Sequence, residues 1–238
     1  MERLTATPVM LRGIPFFQEV PEEDLAALAG RFQVEHYRRG AQLAGRDQAC
    51  LERYRARTYF VCRGVVALYT LTRNRSRKIL FFLGSGRLLS HNVMGTRPQT
   101  LYGEAAADSI LLSIPREEFA QLVQSTPCLT AALLAHYETD LWRMSHQLKN
   151  TAGYLPVERK MAIKLLKLSQ EFGVPSSRGL AICFPLTVTQ LADFMGIPRE
   201  TASRACKRLV EGGFVSYQDR RFVILDQERL EAYYHGTI

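Results

Sequence analysis

The chain contains no apolar run of the roughly 18 residues needed to span a bilayer, and its opening residues, MERLTATPVMLRG, lack the long apolar core of a secretion signal. These absences predict a cytoplasmic protein without a membrane partner. Cysteine is sparse and odd in number: Cys50, Cys62, Cys128, Cys183 and Cys206 lie too far apart for a disulfide framework or a zinc knuckle, so most are expected as buried thiols and no metal site is expected. Neither a nucleophile with a neighbouring base nor a glycine-rich phosphate loop is present, and the sequence therefore predicts no enzyme.

What the chain does have is length, core material and positive charge. Its 238 residues exceed the usual size of one domain, 47% hydrophobic content suffices for packed cores, and a net charge of +8 suits a polyanionic partner. The charge is unevenly placed. Residues 31 to 90 carry thirteen bases and three acids, a net of +10, which reads as a solvated basic surface. Residues 186 to 238 balance seven bases against seven acids, with a local positive cluster from Arg199 to Arg208.

That cluster lies in the most informative stretch, Thr187 to Leu209, TVTQLADFMGIPRETASRACKRL. Leu191, Ala192 and Met195 supply the inner face of a first helix, and small Ala192 lets a second helix approach. Gly196 permits the positive φ of a tight turn, and Ile197 with Pro198 leads into the next helix. At 100° per residue with Glu200 as zero, Ser203 falls at about 300°, Arg204 at about 40° and Lys207 at about 340°, while Ala202, Ala205 and Leu209 fall between about 140° and 200°. One face is apolar; the other gathers a carboxylate, a hydroxyl, a guanidinium and an ammonium, the chemistry a major groove requires. Arg204 can grip guanine O6 and N7, Glu200 can accept from a cytosine amine, and Ser203 can bond a base edge. Arg199, Lys207 and Arg208 are placed for phosphates, with Thr187 and Thr189 as further donors at the start of the first helix. Cys206 lies between Arg204 and Lys207, where positive neighbours are expected to lower a thiol pKa and let oxidation interfere with DNA binding.

Glu211-Gly212-Gly213 stops the helix, and Phe214 to Tyr217, a polar turn, then Phe222 to Leu225 read as two strands of a wing. Upstream, residues 14 to 33 read as short helices, with Pro21-Glu22-Glu23-Asp24 as a helix start. From Val34 to Pro115, short apolar runs divided by glycines and polar clusters predict an antiparallel roll. Leu129, Leu133, Tyr137, Leu141, Met144 and Leu148 then recur at steps of three and four, one apolar seam on a long helix that predicts packing against a second copy of the chain. The pattern breaks at Thr151-Ala152-Gly153, so Gly153 is the expected hinge, and Pro156 opens a helix from Val157 to Phe172. The fold class is thus α+β: an N-terminal antiparallel β-roll over 1–125, a dimerisation helix over 126–152, and a C-terminal winged helix-turn-helix over 153–238.

This arrangement resembles the CRP/FNR superfamily of bacterial transcription regulators over essentially the whole chain. The segment Pro198-Arg199-Glu200-Thr201-Ala202-Ser203-Arg204 is similar to the family's recognition helix, and Glu200, Ser203 and Arg204 match the E-x-x-S-R pattern of the FNR branch. Tyr59-Phe60-Val61-Cys62-Arg63-Gly64 is likewise similar to a strand and turn of the sensor roll. The resemblance implies an effector-responsive homodimer that binds double-stranded DNA at a TTGAT-like palindrome and works with RNA polymerase. Thr201 belongs to the DNA-binding set on this ground.

The effector is read from departures as well as matches. Cyclic-nucleotide members of the family carry a Gly-Glu-Leu segment and a later Arg followed by Ser or Thr. Here the corresponding stretches read Gly86-Arg87-Leu88-Leu89-Ser90-His91 and Gln99-Thr100-Leu101-Tyr102, without the glutamate and the arginine, which argues against cyclic AMP. No cysteine precedes Cys50, which argues against an iron-sulfur cluster. The stretch Ile79 to Met94 and the helix around Tyr137 resemble the chlorophenol-responsive regulators, implying an apolar pocket walled by Leu89, Tyr102, Tyr137 and Leu141 with His91 as its polar group. Asp140, where a second pocket lysine would stand, departs from that pattern. No cofactor is expected on this reading. Haem is the alternative, since His91 also lies beside the ligand-bearing segment of the family's carbon-monoxide sensor, and a ligand-binding protein that has lost DNA binding is a second alternative. Gln48 to Arg57 looks like an insertion relative to the family.

Overall fold

The computed structural model describes residues 4–44, 48–95, 101–151 and 155–237, which form two compact units, Met1–Thr70 with Phe81–His146 and Leu71–Leu80 with Gln147–Ile238. The expected hinge Gly153, with Gln99 and Thr100 of the second sensor stretch, lies outside the described residues, as does the side chain of Leu148. In chain order come α1 (Pro8–Arg12), one 3-10 turn (Pro15–Phe17), α2 (Glu22–Ala29), β1 (Gln33–Tyr37), β2 (Gln42–Ala44), α3 (Gln48–Arg55) and β3 (Arg57–Arg63). There follow β4 (Val66–Leu71), β5 (Arg77–Leu83), β6 (Tyr102–Ala105), β7 (Ser109–Pro115), α4 (Arg116–Ser125) and α5 (Pro127–Thr151). The chain continues with α6 (Val157–Phe172), β8 (Gly173–Ser176), β9 (Gly179–Ile182), α7 (Val188–Met195), α8 (Arg199–Glu211), β10 (Val215–Gln218), β11 (Arg221–Ile224) and α9 (Gln227–His235). Among the described residues no helix is long and apolar enough to cross a membrane.

Strands β1 to β7 form two antiparallel sheets, ordered β1-β7-β3 and β2-β6-β4-β5. In β3 the consecutive residues Tyr59, Phe60 and Val61 are all buried, because both faces of this strand are covered. The ring of Phe60 meets Phe16, Phe17, Phe32 and Phe119 at centroid distances of 5.2, 4.9, 6.0 and 5.5 Å, so the short N-terminal helices and α4 close over the sheet through one aromatic cluster. Gly64 follows β3 at φ +97°, and a Cβ there would lie 2.5 Å from the Asp108 carbonyl oxygen, so only glycine fits this turn. Gln48 to Arg57 contributes a helix to the roll: Tyr54 of α3 is buried, stacks on Tyr59 at 5.2 Å, and donates its hydroxyl to the Leu89 carbonyl at 3.4 Å.

The seam on α5 divides. Leu129 and Leu133 are buried in the core of their own roll, whereas Leu141 is 67% exposed and Leu134 61%. Each step of four residues turns the helix by 400°, so the position drifts about 40° per step, and Leu141 arrives about 120° away from Leu129. It lands beside Leu134 on the outward face. The inner face continues instead through His136 and Asp140, and Asp140 is buried.

In the second unit, α6 buries Met161, Ala162, Leu165, Leu166 and Phe172, and α7, α8 and α9 gather around it. Helix α7 opens on a capping box, with Thr187 Oγ1 accepting from the Gln190 N–H and Gln190 Oε1 accepting from the Thr187 N–H, both at 3.1 Å. Its buried residues are Leu191, Ala192 and Phe194; Met195, expected in that role, is only partly buried. Gly196 caps α7 in the left-handed region at φ +73°, as the turn requires, and its N–H reaches the Ala192 carbonyl at 2.7 Å. Gly196→Ala would place a Cβ in that conformation against the Lys78 side chain, so we expect a loss of about 1–2 kcal/mol in urea unfolding of the intact chain. The wing strands pair antiparallel across Asp219 and Arg220, both at positive φ (51° and 62°), the conformation of a two-residue hairpin turn. They extend into a four-stranded sheet, β10-β11-β9-β8, whose last two strands the sequence reading did not predict. Helix α9 was likewise unforeseen. It is capped by Asp226 and docked through buried Leu230 and the Tyr233 ring on Phe214 at 4.5 Å.

Candidate nucleic-acid interface and ligand region

Helix α8 separates cleanly into two faces. Ala202, Ala205, Cys206 and Leu209 are buried, while Arg199, Glu200, Ser203, Arg204 and Lys207 are exposed and Thr201 is half-buried at the margin. The split follows from helical period: residues three and four apart share a side, so the apolar set packs on α6 and α7 and leaves the acid, hydroxyl and bases on one outward strip. Glu200 in the first turn also stabilises the helix N-terminus through the macrodipole. Exposed bases beside a carboxylate and a hydroxyl, with no capping duty in the fold, can hydrogen-bond base edges and phosphates.

Not every expected contact is equally available. Thr189 is exposed, but the Thr187 hydroxyl is engaged at both ends: it accepts from the Gln190 N–H and donates to Gln190 Oε1 at 3.1 Å. Arg208 pairs with Glu158 of α6 and so links the two helices, while its side chain stays 67% exposed. Lys207 lies 3.6 Å from Glu211, an exposed i,i+4 pair that is cheap to break. Cys206 reverses the expectation made for it. Its thiol faces inward, 3.4 Å from the Met161 sulfur, and burial pushes its pKa up to about 11, so the flanking bases, which point outward, do not activate it.

In the first unit the residues expected around an effector are only partly brought together. His91 and Leu89 sit on the segment after β5, and Leu89 is fully buried. His91 Nδ1 lies 2.9 Å from the Leu89 carbonyl, and its Nε2 faces Asp140 of α5 at 3.7 Å. The same carboxylate takes the Arg87 guanidinium at 2.7 Å and stands 3.2 Å from His136 Nε2. Tyr137 is half-buried next to this group, with its hydroxyl pKa raised by burial. Tyr102 stacks on Tyr69 at 5.4 Å, and Leu141 is on the outward side of α5, away from His136 and Asp140 for the rotational reason given above. No local signal marks the Arg87–Asp140 pair, because its partners are 53 residues apart and each reads as an ordinary surface charge. Among the described residues no group of three His, Cys, Asp or Glu side chains is arranged to hold a metal ion.

The electrostatics of this group set a pH response. Burial pushes the His91 pKa below its usual value, against the opposing pull of Asp140. Burial acts to raise the Asp140 pKa, but the hydrogen bond and charge of His136, then His91 and Arg87, outweigh it and hold the carboxyl below its ordinary range. A depressed histidine binds its proton more readily in the unfolded chain, so its contribution is complete above about pH 6.5 and is lost as pH falls toward the folded value. Asp140 contributes until pH falls through its own lowered value. Thermal melts should therefore show a lower Tm at pH 5.5 than at pH 7.5, and His91→Gln should shrink that difference.

A strip of exposed base-reading chemistry on the second helix of a winged helix-turn-helix defines a DNA-binding protein. The family model for the Crp-like helix-turn-helix domain matches residues 159–233, and that for the cyclic nucleotide-binding domain matches residues 49–126. A probable transcriptional regulator, flp, of Lacticaseibacillus casei is 26% identical over 222 residues, 92% of this chain and 94% of the relative. A CRP-like cAMP-activated global transcriptional regulator of Mycobacterium tuberculosis is 22% identical over 215 residues, 90% of this chain and 93% of its own length. Among solved structures, FixK2 from Bradyrhizobium japonicum superposes with a TM-score of 0.68 at 21% identity, covering 84% of this chain and 96% of that one. The chain belongs to the CRP/FNR superfamily, and it is a transcriptional regulator with a DNA-binding helix-turn-helix and a ligand-binding domain.

Proposed function

We propose that the chain acts as a homodimer that reads a TTGAT-like palindrome and shifts its DNA affinity when a small organic effector, not a cyclic nucleotide, occupies the roll. The observation that carries this reading is the single outward strip of α8, where Glu200, Ser203 and Arg204 stand together while their neighbours Ala202 and Ala205 are buried. Arg199, Thr201, Lys207 and Thr189 position the helix on the backbone, and RNA polymerase is the protein partner. Dimerisation is supported by the outward face of α5, which exposes Leu134, Leu141, Trp142 and Met144, more apolar surface than a monomeric helix ordinarily leaves to water. Paired recognition helices would then enter successive major grooves about 34 Å apart.

The effector region is the neighbourhood of Leu89, His91 and Tyr137, with the Arg87–Asp140 pair as its polar wall. An effector that binds one arrangement of the winged units better than the other shifts the population by that difference alone. Against the haem alternative stands the position of His91, whose Nδ1 lies 2.9 Å from the Leu89 carbonyl and whose Nε2 lies 3.7 Å from the Asp140 carboxylate.

Gel-shift titration of the intact chain tests the reading. Retardation of a TTGAT palindrome at about 10³-fold lower protein concentration than a scrambled duplex at the same salt is expected. Equal affinity for the two would defeat it.

A further inference from the structure

A cavity of about 250 Å³ lies within the second unit, between α6, the end of α7, the turn before α8, and α9. Its walls are mainly apolar, with Ile163, Met195, Ile197 and Tyr234, and they include two lysines, Lys160 and Lys164. None of its described lining residues is acidic. Lys164 is half-buried over the face of Phe194, with Nζ 4.5 Å from the ring centroid, and Lys78 and Lys167 add positive charge to its surroundings. Burial, then Lys78 and Lys167, push its pKa down to about 8, while Asp193 of α7 acts on the neighbouring Lys78. Two lysines among the walls of an otherwise apolar cavity suit an anion with a greasy body.

We infer that this cavity binds a small amphipathic monocarboxylate, a medium-chain fatty acid or a compact aromatic acid, with its carboxylate on Lys164 and its apolar body among Ile163, Met195, Ile197 and Tyr234. The volume lies just below the roughly 300–1,000 Å³ range of drug-sized pockets, which excludes nucleotides and long acyl chains. The site is separate from the effector region of the roll, and because Met195 and Ile197 flank Gly196, an occupant would brace the turn that sets α8.

Calorimetric titration of the intact chain with decanoate, decanol and decyl phosphate at pH 7 tests the inference without any DNA. Saturable binding of about one decanoate per chain is expected, at least tenfold tighter than decanol or decyl phosphate. Lys164→Gln should weaken decanoate at least tenfold, and Met195→Trp, which fills the cavity, should abolish it. Between pH 7 and pH 9 the wild-type affinity should fall about tenfold, as Lys164 loses its proton while decanoate keeps its charge. Equal binding of decanoate and decanol, tighter binding of decyl phosphate, an unchanged Met195→Trp, or no saturation would each overturn it. Should Lys164→Gln fail to fold, the comparison of the three amphiphiles on the native chain still decides.

Discussion

Arg204→Ala should leave the fold intact and remove sequence-specific binding. Its side chain is exposed on α8 and no buried partner is lost, so the melting temperature should stay within about one degree of wild type while affinity for the TTGAT palindrome drops by about 1–3 kcal/mol per half-site. With two half-sites in one complex the losses add, and the preference over scrambled DNA should nearly vanish. Lys207→Ala should behave differently: a phosphate contact weakens all duplexes alike and lowers the slope of log affinity against log salt by about one per protomer. Fluorescence anisotropy on specific and scrambled duplexes at several salt concentrations separates the two outcomes. An Arg204→Ala chain that kept its preference would show that the base contacts lie elsewhere.

Placing charges on the outward face of α5, in the double variant Leu134→Glu, Leu141→Glu, should convert the proposed dimer to a monomer in sedimentation equilibrium. Both residues are more than 60% exposed in the single chain, so the substitution costs the protomer little and the partner contact a great deal. Losing the second half-site removes the effective-concentration advantage, and palindrome affinity should fall by about 10²–10⁴. A variant that stayed dimeric would move the interface off this face. The buried residues of the same helix, Leu129 and Leu133, cannot serve this test, since charging them would unfold the roll.

The helix-turn-helix was legible because its information is local: a small residue, a glycine and an apolar stripe at fixed spacing specify two helices and the turn between them within 23 residues. Gly196 adopts the conformation its position demanded, and the faces of α8 fall as a 100° period places them. Helix α6 was equally plain, because Pro156 and a regular apolar pattern bound it. What escaped was non-local or irregular. Strands β8 and β9 are four residues each, with Pro175 in one and a glycine at the start of both, so neither alternation nor β-propensity marks them. Phe194 displaced Met195 from the core because side-chain direction, not spacing alone, selects which of two neighbours turns inward. Cys206 is close to Arg204 and Lys207 in sequence but not in orientation, because on a helix adjacent residues point about 100° apart. The candidate ligand region was only half visible. His91 could be singled out, but the carboxylate that faces it is on α5, and the steady drift of a four-residue step, which sends Leu141 outward and brings Asp140 inward, emerges only when the helix is wound.

The central claim, that Arg204 grips a guanine through its major-groove edge, is tested most directly by a double-substitution cycle. The guanine of each TTGAT half-site is replaced by 7-deazaguanine, which removes the N7 acceptor, and affinities are measured for wild type and Arg204→Ala on both duplexes at one salt concentration. The account predicts that each change alone weakens binding, that 7-deazaguanine adds almost nothing once Arg204 is replaced, and that Arg204→Ala on the 7-deaza duplex costs only the remaining O6 contact. Fully additive losses would mean that Arg204 and the guanine do not touch, and would contradict it.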